Sequence, residues 1–274
     1  MADKSQNPLD GSSQTGSKSF KKRRLKRLSI NTMIPNILTL LALASGLTAV
    51  RFALQDQWEF TLIAVAAAAI LDALDGRVAR LLKGSSKFGA ELDSLSDFVC
   101  FGVSPALILY LWAMEKAGNP GWILALLYAM CMGLRLARFN VAIDDDDQPG
   151  WKANFFAGTP APAAAGLVLL PVILSLEFET DIFRNPWIVS LFLLTVGGLA
   201  VSSVPTYSFK KLKIPNRLVL PTMLSVAVFA AFVVSVPWLT LIVILGLYLI
   251  SIPFSYRAFL RFSQGRSGKT KTDS

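Results

Sequence analysis

The sequence contains no histidine. That absence removes Ser–His and Cys–His catalytic pairs, histidine-based zinc sites and any imidazole general base. A proton acceptor must come from Asp, Glu, Lys or Tyr. Charge is scarce as well: 16% of the 274 residues are Asp, Glu, Lys or Arg, against about a quarter in an ordinary soluble domain. Cysteine is limited to Cys100 and Cys131, both inside apolar runs. Two such residues make neither a disulfide framework nor a zinc pattern and read as small buried hydrophobes.

What the chain has instead is apolar length. It is 53% hydrophobic with a mean hydropathy of +0.52, the composition of an integral membrane protein built as one domain. The fold class expected is all-α, a polytopic transmembrane helical bundle. Eight apolar stretches fall near residues 33–53, 58–82, 94–114, 121–142, 160–177, 186–205, 217–235 and 238–256, each near the length a crossing requires. Only Ser235-Val236-Pro237 separates the last two, which predicts a helical hairpin.

Basic residues orient this bundle. With the N-terminus in the cytoplasm and the spans alternating, 24 of the 27 Lys and Arg fall on the cytoplasmic side. Only Arg51, Lys116 and Arg184 fall on the other. An odd number of spans breaks that sorting, so the positive-inside rule places both termini in the cytoplasm. The net charge of +9 is then a matter of orientation rather than of nucleic-acid binding. Residues 1–29 form a polar arm with a basic block from Lys18 to Arg27, suited to anionic headgroups. No apolar core of a signal peptide is expected in it. Residues 30–258 make the membrane domain, and 259–274 a basic cytoplasmic tail. Asp144-Asp145-Asp146-Asp147 reads as a solvated loop.

Against this background, four acids stand out. Residues 72–97 read D-x2-D-G-x2-A-R-x8-G-x3-D-x3-D, through Asp72, Asp75, Gly76, Ala79, Arg80, Gly89, Asp93 and Asp97. Charge placed between apolar runs is costly and marks function. Asp72 and Asp75 are three apart and share a helix face; Gly89, Asp93 and Asp97 step by four and share another. Lys83-Gly84-Ser85-Ser86 is turn-like. Two helices thus present two carboxylates each to one space. Four oxygen donors without His or Cys favour Mg²⁺ or Mn²⁺, and four carboxylates suggest a two-metal clamp. Gly76 allows close approach to the helix backbone. Arg80 suits a bidentate phosphate contact, though it also serves as a topogenic charge. Asp97 is the available base at the end of the motif.

This motif resembles the signature of the CDP-alcohol phosphatidyltransferases, with every fixed position filled. The resemblance implies that Asp72, Asp75 and Asp93 bind metal, and that Asp97 is both ligand and proton acceptor. It also implies that Asp72, Gly76, Arg80 and Ser86 contact the nucleotide end of a CDP-lipid. At the start of the first span, Pro35 suits a first helical turn. Asn36 and Thr39 either cap and cross-link helices or contact the diphosphate. The resemblance favours contact, through Pro35, Asn36, Ile37, Leu38 and Thr39.

Later segments are similar to the integral-membrane phosphatidylserine synthases within that family. They are Phe101-Gly102-Val103-Ser104-Pro105-Ala106, Arg135-Leu136-Ala137-Arg138-Phe139-Asn140, Gly158 to Ala165, and Pro205 to Lys210. That likeness implies CDP-diacylglycerol as donor, L-serine as acceptor, two Mg²⁺ or Mn²⁺ ions and a homodimer in the inner membrane. Arg135 and Arg138 share a face at the cytoplasmic end of the fourth span. They serve either as acceptor-binding guanidiniums or as plain positive-inside charge. Glycerol 3-phosphate, an inositol phosphate or choline is the alternative acceptor. Outside the family, the alternative is a membrane cation transporter. The second half of the chain has no matching acidic motif, which an inverted repeat would supply.

Overall fold

The computed structural model describes residues 30–84, 86–143, 155–157, 159–202, 205–207 and 219–267. The basic block Lys18–Arg27, the Asp144–Asp147 run and residues 208–218 lie outside them. The described chain is helical apart from one small antiparallel ribbon, β1 (Phe155–Ala157) with β2 (Pro205–Tyr207), in which Phe156 faces Thr206. Ten α-helices follow in order: α1 (Ile30–Ala53), α2 (Trp58–Leu81), α3 (Lys87–Asp97), α4 (Ser104–Leu109), α5 (Asn119–Ile143), α6 (Ala161–Val168), α7 (Leu170–Glu177), α8 (Pro186–Val201), α9 (Val219–Ser235) and α10 (Pro237–Ser267).

Three described helical stretches are long and apolar enough to cross a membrane: Met33–Ala53, Lys87–Ala117 and Asn119–Val141. Pro186–Val201, Leu220–Ser235 and Pro237–Ile252 are apolar but shorter. α2 has the length of a crossing, at 24 residues, but its last three turns carry the acids and arginines of the motif. The expected fifth span is two helices. Pro171, near the start of α7, cannot donate a backbone bond and breaks the rod at Leu169. α10 continues to Ser267, past the boundary expected at 258.

Helices close on one another through small residues. Ala42, Gly46, Ala49 and Ala53 line the buried face of α1, spaced three or four apart, and α2 packs along much of the length of α1. The Ser45 hydroxyl donates to the Ala64 carbonyl at 2.9 Å and ties the pair. At Gly46 the approach is closest: an added Cβ would lie 2.8 Å from Cys100 Sγ. Cys100 in turn donates to the Ala42 carbonyl, so it is the compact buried group expected. Larger side chains on the outward face of α1, such as Ile37 and Leu41, are exposed, as a lipid-facing surface requires.

Lys87–Ala117 is one continuous helical stretch with two wide turns in it. α3 passes into a π-helical segment at Phe98–Val103, then α4, then a second π segment at Tyr110–Met114. Pro105 explains the first. It has no N–H to give the Phe101 carbonyl four residues back, and its ring crowds that carbonyl. The helix widens there, with the Ser104 N–H donating to the Val99 carbonyl. Each wide turn has a carbonyl taken by a distant side chain. The Tyr128 hydroxyl donates to Phe101 at 3.0 Å, and Arg184 Nε donates to Trp112 at 2.8 Å.

Candidate active site

The site forms where α1, α2 and α3 converge. α2 ends beyond Leu81 with Lys83 in the left-handed region (φ 49°). The Gly84 N–H closes back on the Ala79 carbonyl at 3.0 Å. Ser86 then starts α3 as its N-cap, its Oγ accepting from the Gly89 N–H at 3.0 Å. This tight connection brings the C-terminal end of α2 beside the N-terminal end of α3. The expected sharing of faces therefore becomes one cluster. Asp72, Asp75 and Asp93 each place a carboxylate oxygen within 4.8 Å of the others.

Asp75 is the most enclosed, at 4% exposure. Thr39 of α1 donates to its Oδ2 at 2.6 Å and also to the Pro35 carbonyl at 3.1 Å. Thr39 thus both ties helices and touches the acid cluster. One turn beyond Asp93, the Asp97 carboxyl lies within hydrogen-bonding reach of Asp72. Its Oδ1 is buried without a protein partner. Among the described residues none of the four carboxylates is ion-paired, which is unfavourable for charges left to themselves. The closely set oxygens of Asp72, Asp75 and Asp93 make a donor set that fits a hard divalent cation, while Asp97, expected as a fourth ligand, stands beside Asp72 outside that group of three.

Two cavities flank this cluster. The first, about 240 Å³, is lined by Pro35, Asn36, Thr39, Asp75, Gly76, Ala79, Arg80, Gly84, Ser86, Gly89, Ala90 and Asp93. It opens at the N-terminus of α3, where free N–H groups and the helix dipole favour an anion. Gly76 leaves its floor open, since an added Cβ would meet only Arg80 Nη1, at 3.7 Å. Gly89 is tight: a Cβ there would lie 2.8 Å from Asn36 Oδ1. The second cavity, about 200 Å³, lies between α3 and α5. It is lined by Ala90, Glu91, Asp93, Ser94, Asp97, Leu136, Phe139 and Asn140. Asp93 belongs to both.

The motif that folds into this cluster has a clear counterpart among known proteins. Residues 32–203 match the sequence model of the CDP-alcohol phosphatidyltransferases, and residues 217–253 match that of CDP-alcohol phosphatidyltransferase 2. The chain belongs to the CDP-alcohol phosphatidyltransferase family. It is 40% identical over 233 residues to the CDP-diacylglycerol–serine O-phosphatidyltransferase of Mycobacterium tuberculosis, covering 85% of this chain and 81% of that protein. It is 36% identical over 218 residues to the protein of the same name from Helicobacter pylori, covering 80% and 88%. The counterpart in Methanocaldococcus jannaschii is 32% identical over 185 residues, covering 68% and 76%.

The other residues expected at the site of this family member divide. Of the α1 group, Pro35, Asn36 and Thr39 line the first cavity. Ile37 and Leu38 do not, because they fall on other faces of the helix; Ile37 is 51% exposed. Pro35 sits in the second turn rather than the first, since α1 begins at Ile30. Ser86 lines the cavity while capping α3. Arg135 donates from Nε to the Thr159 carbonyl at 2.6 Å, leaves Nη1 buried without a partner, and stands close enough to Asp97 for their charges to interact. Arg138 instead donates to the carbonyls of Val201 and Ser202, at the end of α8. It lines neither cavity.

Sequence reasoning missed the far wall. Asn140 donates from Nδ2 to Ser94 Oγ at 2.9 Å, joining α5 to α3 beside Asp93 and Asp97. Asn140 closes the Arg135–Asn140 run that carries the family likeness, but nothing in the run assigned it a role at the site.

Proposed function

We propose that this enzyme transfers the phosphatidyl group of CDP-diacylglycerol to the hydroxyl of L-serine, giving phosphatidylserine and CMP. The observation that carries the reading is the acid cluster between two cavities, with Asp75 lining the first, Asp97 the second and Asp93 both. An in-line displacement needs the leaving group and the nucleophile on opposite sides of phosphorus. The first cavity, with Arg80 and the α3 N-terminus, suits the diphosphate and cytidine of the donor. Asn36, Gly76 and Ser86 frame it. The second suits a small alcohol. Its described lining holds Glu91, Asp93 and Asp97 and no Lys or Arg, which favours an acceptor carrying an ammonium over one carrying a phosphate. Arg135, with its unpartnered Nη1, is the nearby cation for the serine carboxylate. The names of the relatives support the same donor and acceptor.

Asp72, Asp75, Asp93 and Asp97 would hold two Mg²⁺ or Mn²⁺ ions, which supply neutralisation of the diphosphate and of departing CMP. Asp97 takes the proton of the serine hydroxyl. The freed oxygen attacks the phosphorus that bears diacylglycerol. The bond from that phosphorus to the CMP oxygen breaks, and CMP leaves with the electron pair. Thr39 holds Asp75 in place, and Arg80 steadies the phosphate oxygens. The charge distribution supports eight crossings, with both termini and the site facing the cytoplasm from the inner membrane, and the family likeness supports a homodimer.

Purified protein supplied with CDP-diacylglycerol, Mn²⁺ and one alcohol at a time tests this through CMP release. Serine should support turnover, while glycerol 3-phosphate, an inositol phosphate and choline should not. Release with glycerol 3-phosphate but not serine overturns the acceptor.

A further inference from the structure

The π turn that follows Asp97 is held open by a residue outside the motif. Tyr128 of α5 is fully buried, at 1% exposure. Its hydroxyl gives the Phe101 carbonyl the hydrogen bond that Pro105 cannot. Phe101 lies four residues past Asp97, one turn along the same rod. The turn is gripped from the α5 side by close packing as well. A Cβ on Gly133 would lie 3.1 Å from the Phe98 ring, and one on Gly102 would lie 3.1 Å from Met132 Cβ. On the α1 side, Ser96 Oγ donates to the Thr39 carbonyl at 3.2 Å and Cys100 Sγ to that of Ala42 at 3.3 Å.

A π turn holds one residue more than an α turn, so it sets the angular register between the helix above it and the helix below. The lower part of the rod is locked in the core, where Ile108, Leu109 and Met114 are buried. The upper part carries Asp93 and Asp97. Whatever fixes the wide turn therefore fixes the direction in which Asp97 leaves the helix. Arg135, which donates to Thr159 and faces Asp97, lies seven residues after Tyr128 on the same face of α5. One helix face thus holds both the turn and the neighbourhood of the acid it aims.

We infer that Tyr128 is a positioning residue for Asp97, acting through the Phe101 carbonyl and the π turn. The inference rests on Asp97 being the proton acceptor. It assigns Tyr128 no contact with substrate or metal.

The test is a double-mutant cycle in the full-length protein, following CMP release from CDP-diacylglycerol and serine with Mn²⁺. Tyr128→Phe should lower kcat about tenfold and leave the KM for CDP-diacylglycerol within about twofold, because the donor cavity lies on the other side of the cluster. A purely structural role would lower the melting temperature and the fraction of protein that binds donor, with kcat per bound donor unchanged; that result overturns the inference. Pro105→Ala restores an N–H for the Phe101 carbonyl and lets the π turn relax, so it too should lower kcat. The double variant should lose less than the product of the two single losses. Fully multiplicative losses show that the two residues act separately, and overturn the inference. Should Tyr128→Phe fail to yield folded protein, Pro105→Ala carries the test, and unchanged kcat in it decides against. Asp97→Asn is run in parallel. If it keeps full turnover, the base assignment fails first. If it is inactive while Tyr128→Phe is unaffected, only the positioning role fails.

Discussion

Asp75 depends on a residue 36 positions away: the Thr39 hydroxyl that reaches its carboxylate at 2.6 Å. A hydrogen bond to a charged group is worth about 1.5–3 kcal/mol. Thr39→Val should therefore cut turnover by roughly tenfold or more, and Thr39→Ser should restore most of it. Steady-state CMP release compares the two; equal activity in the valine variant and the wild type contradicts the role. Asp97→Asn removes the proposed proton acceptor and should lower kcat by about 10²–10⁴, with donor binding retained. At this scale the meeting of Asp72, Asp75 and Asp93 was legible, because spacing puts them on two helix faces joined by a short turn. The partners were not. Thr39 with Asp75, Asn140 with Ser94 and Tyr128 with Phe101 each join residues far apart in the chain, and a periodic pattern does not report which helices will meet.

The same limit applies to whole elements, where local signals speak clearly only about local structure. The Lys83–Ser86 turn was readable from composition, and it is the turn that delivers Asp72 and Asp75 to Asp93. Ser86 caps the helix that follows and lines the cavity proposed for the donor, so capping and the proposed contact need separating. Ser86→Asp should keep the cap, while Ser86→Ala should cost about 1 kcal/mol of stability; thermal unfolding in detergent reads the difference. The π turn could not be read ahead, although Pro105, its physical cause, stood in plain sight. A proline in the middle of an apolar run fits a kink or a break in the helix equally well. The Gly46–Cys100 contact belongs here too. Gly46→Ala forces a Cβ to within 2.8 Å of Cys100 Sγ and should destabilise by about 1–3 kcal/mol. Cys100→Ala in the same chain should recover part of that loss.

For the molecule as a whole, composition made membrane residence plain, and the asymmetry of Lys and Arg gave an orientation. The number of crossings was less legible, for a physical reason. The motif puts charge into the end of α2, Pro171 splits the fifth apolar stretch, and α8 and α9 are short. The orientation has a direct check. A cysteine at Lys83, added to a variant lacking Cys100 and Cys131, should react with a membrane-impermeant thiol reagent only in inside-out vesicles. One at Asp181 should react only in right-side-out vesicles. The central claim, that the acids from α2 and α3 form one metal-holding wall between donor and acceptor, is tested most directly by Mn²⁺ binding. Electron paramagnetic resonance of the purified protein with CDP-diacylglycerol should count two Mn²⁺ per chain, with binding lost in Asp75→Asn and Asp93→Asn alike. A wild-type protein that turns over while binding no Mn²⁺ or Mg²⁺, or an Asp93→Asn variant that binds the full complement, would contradict it.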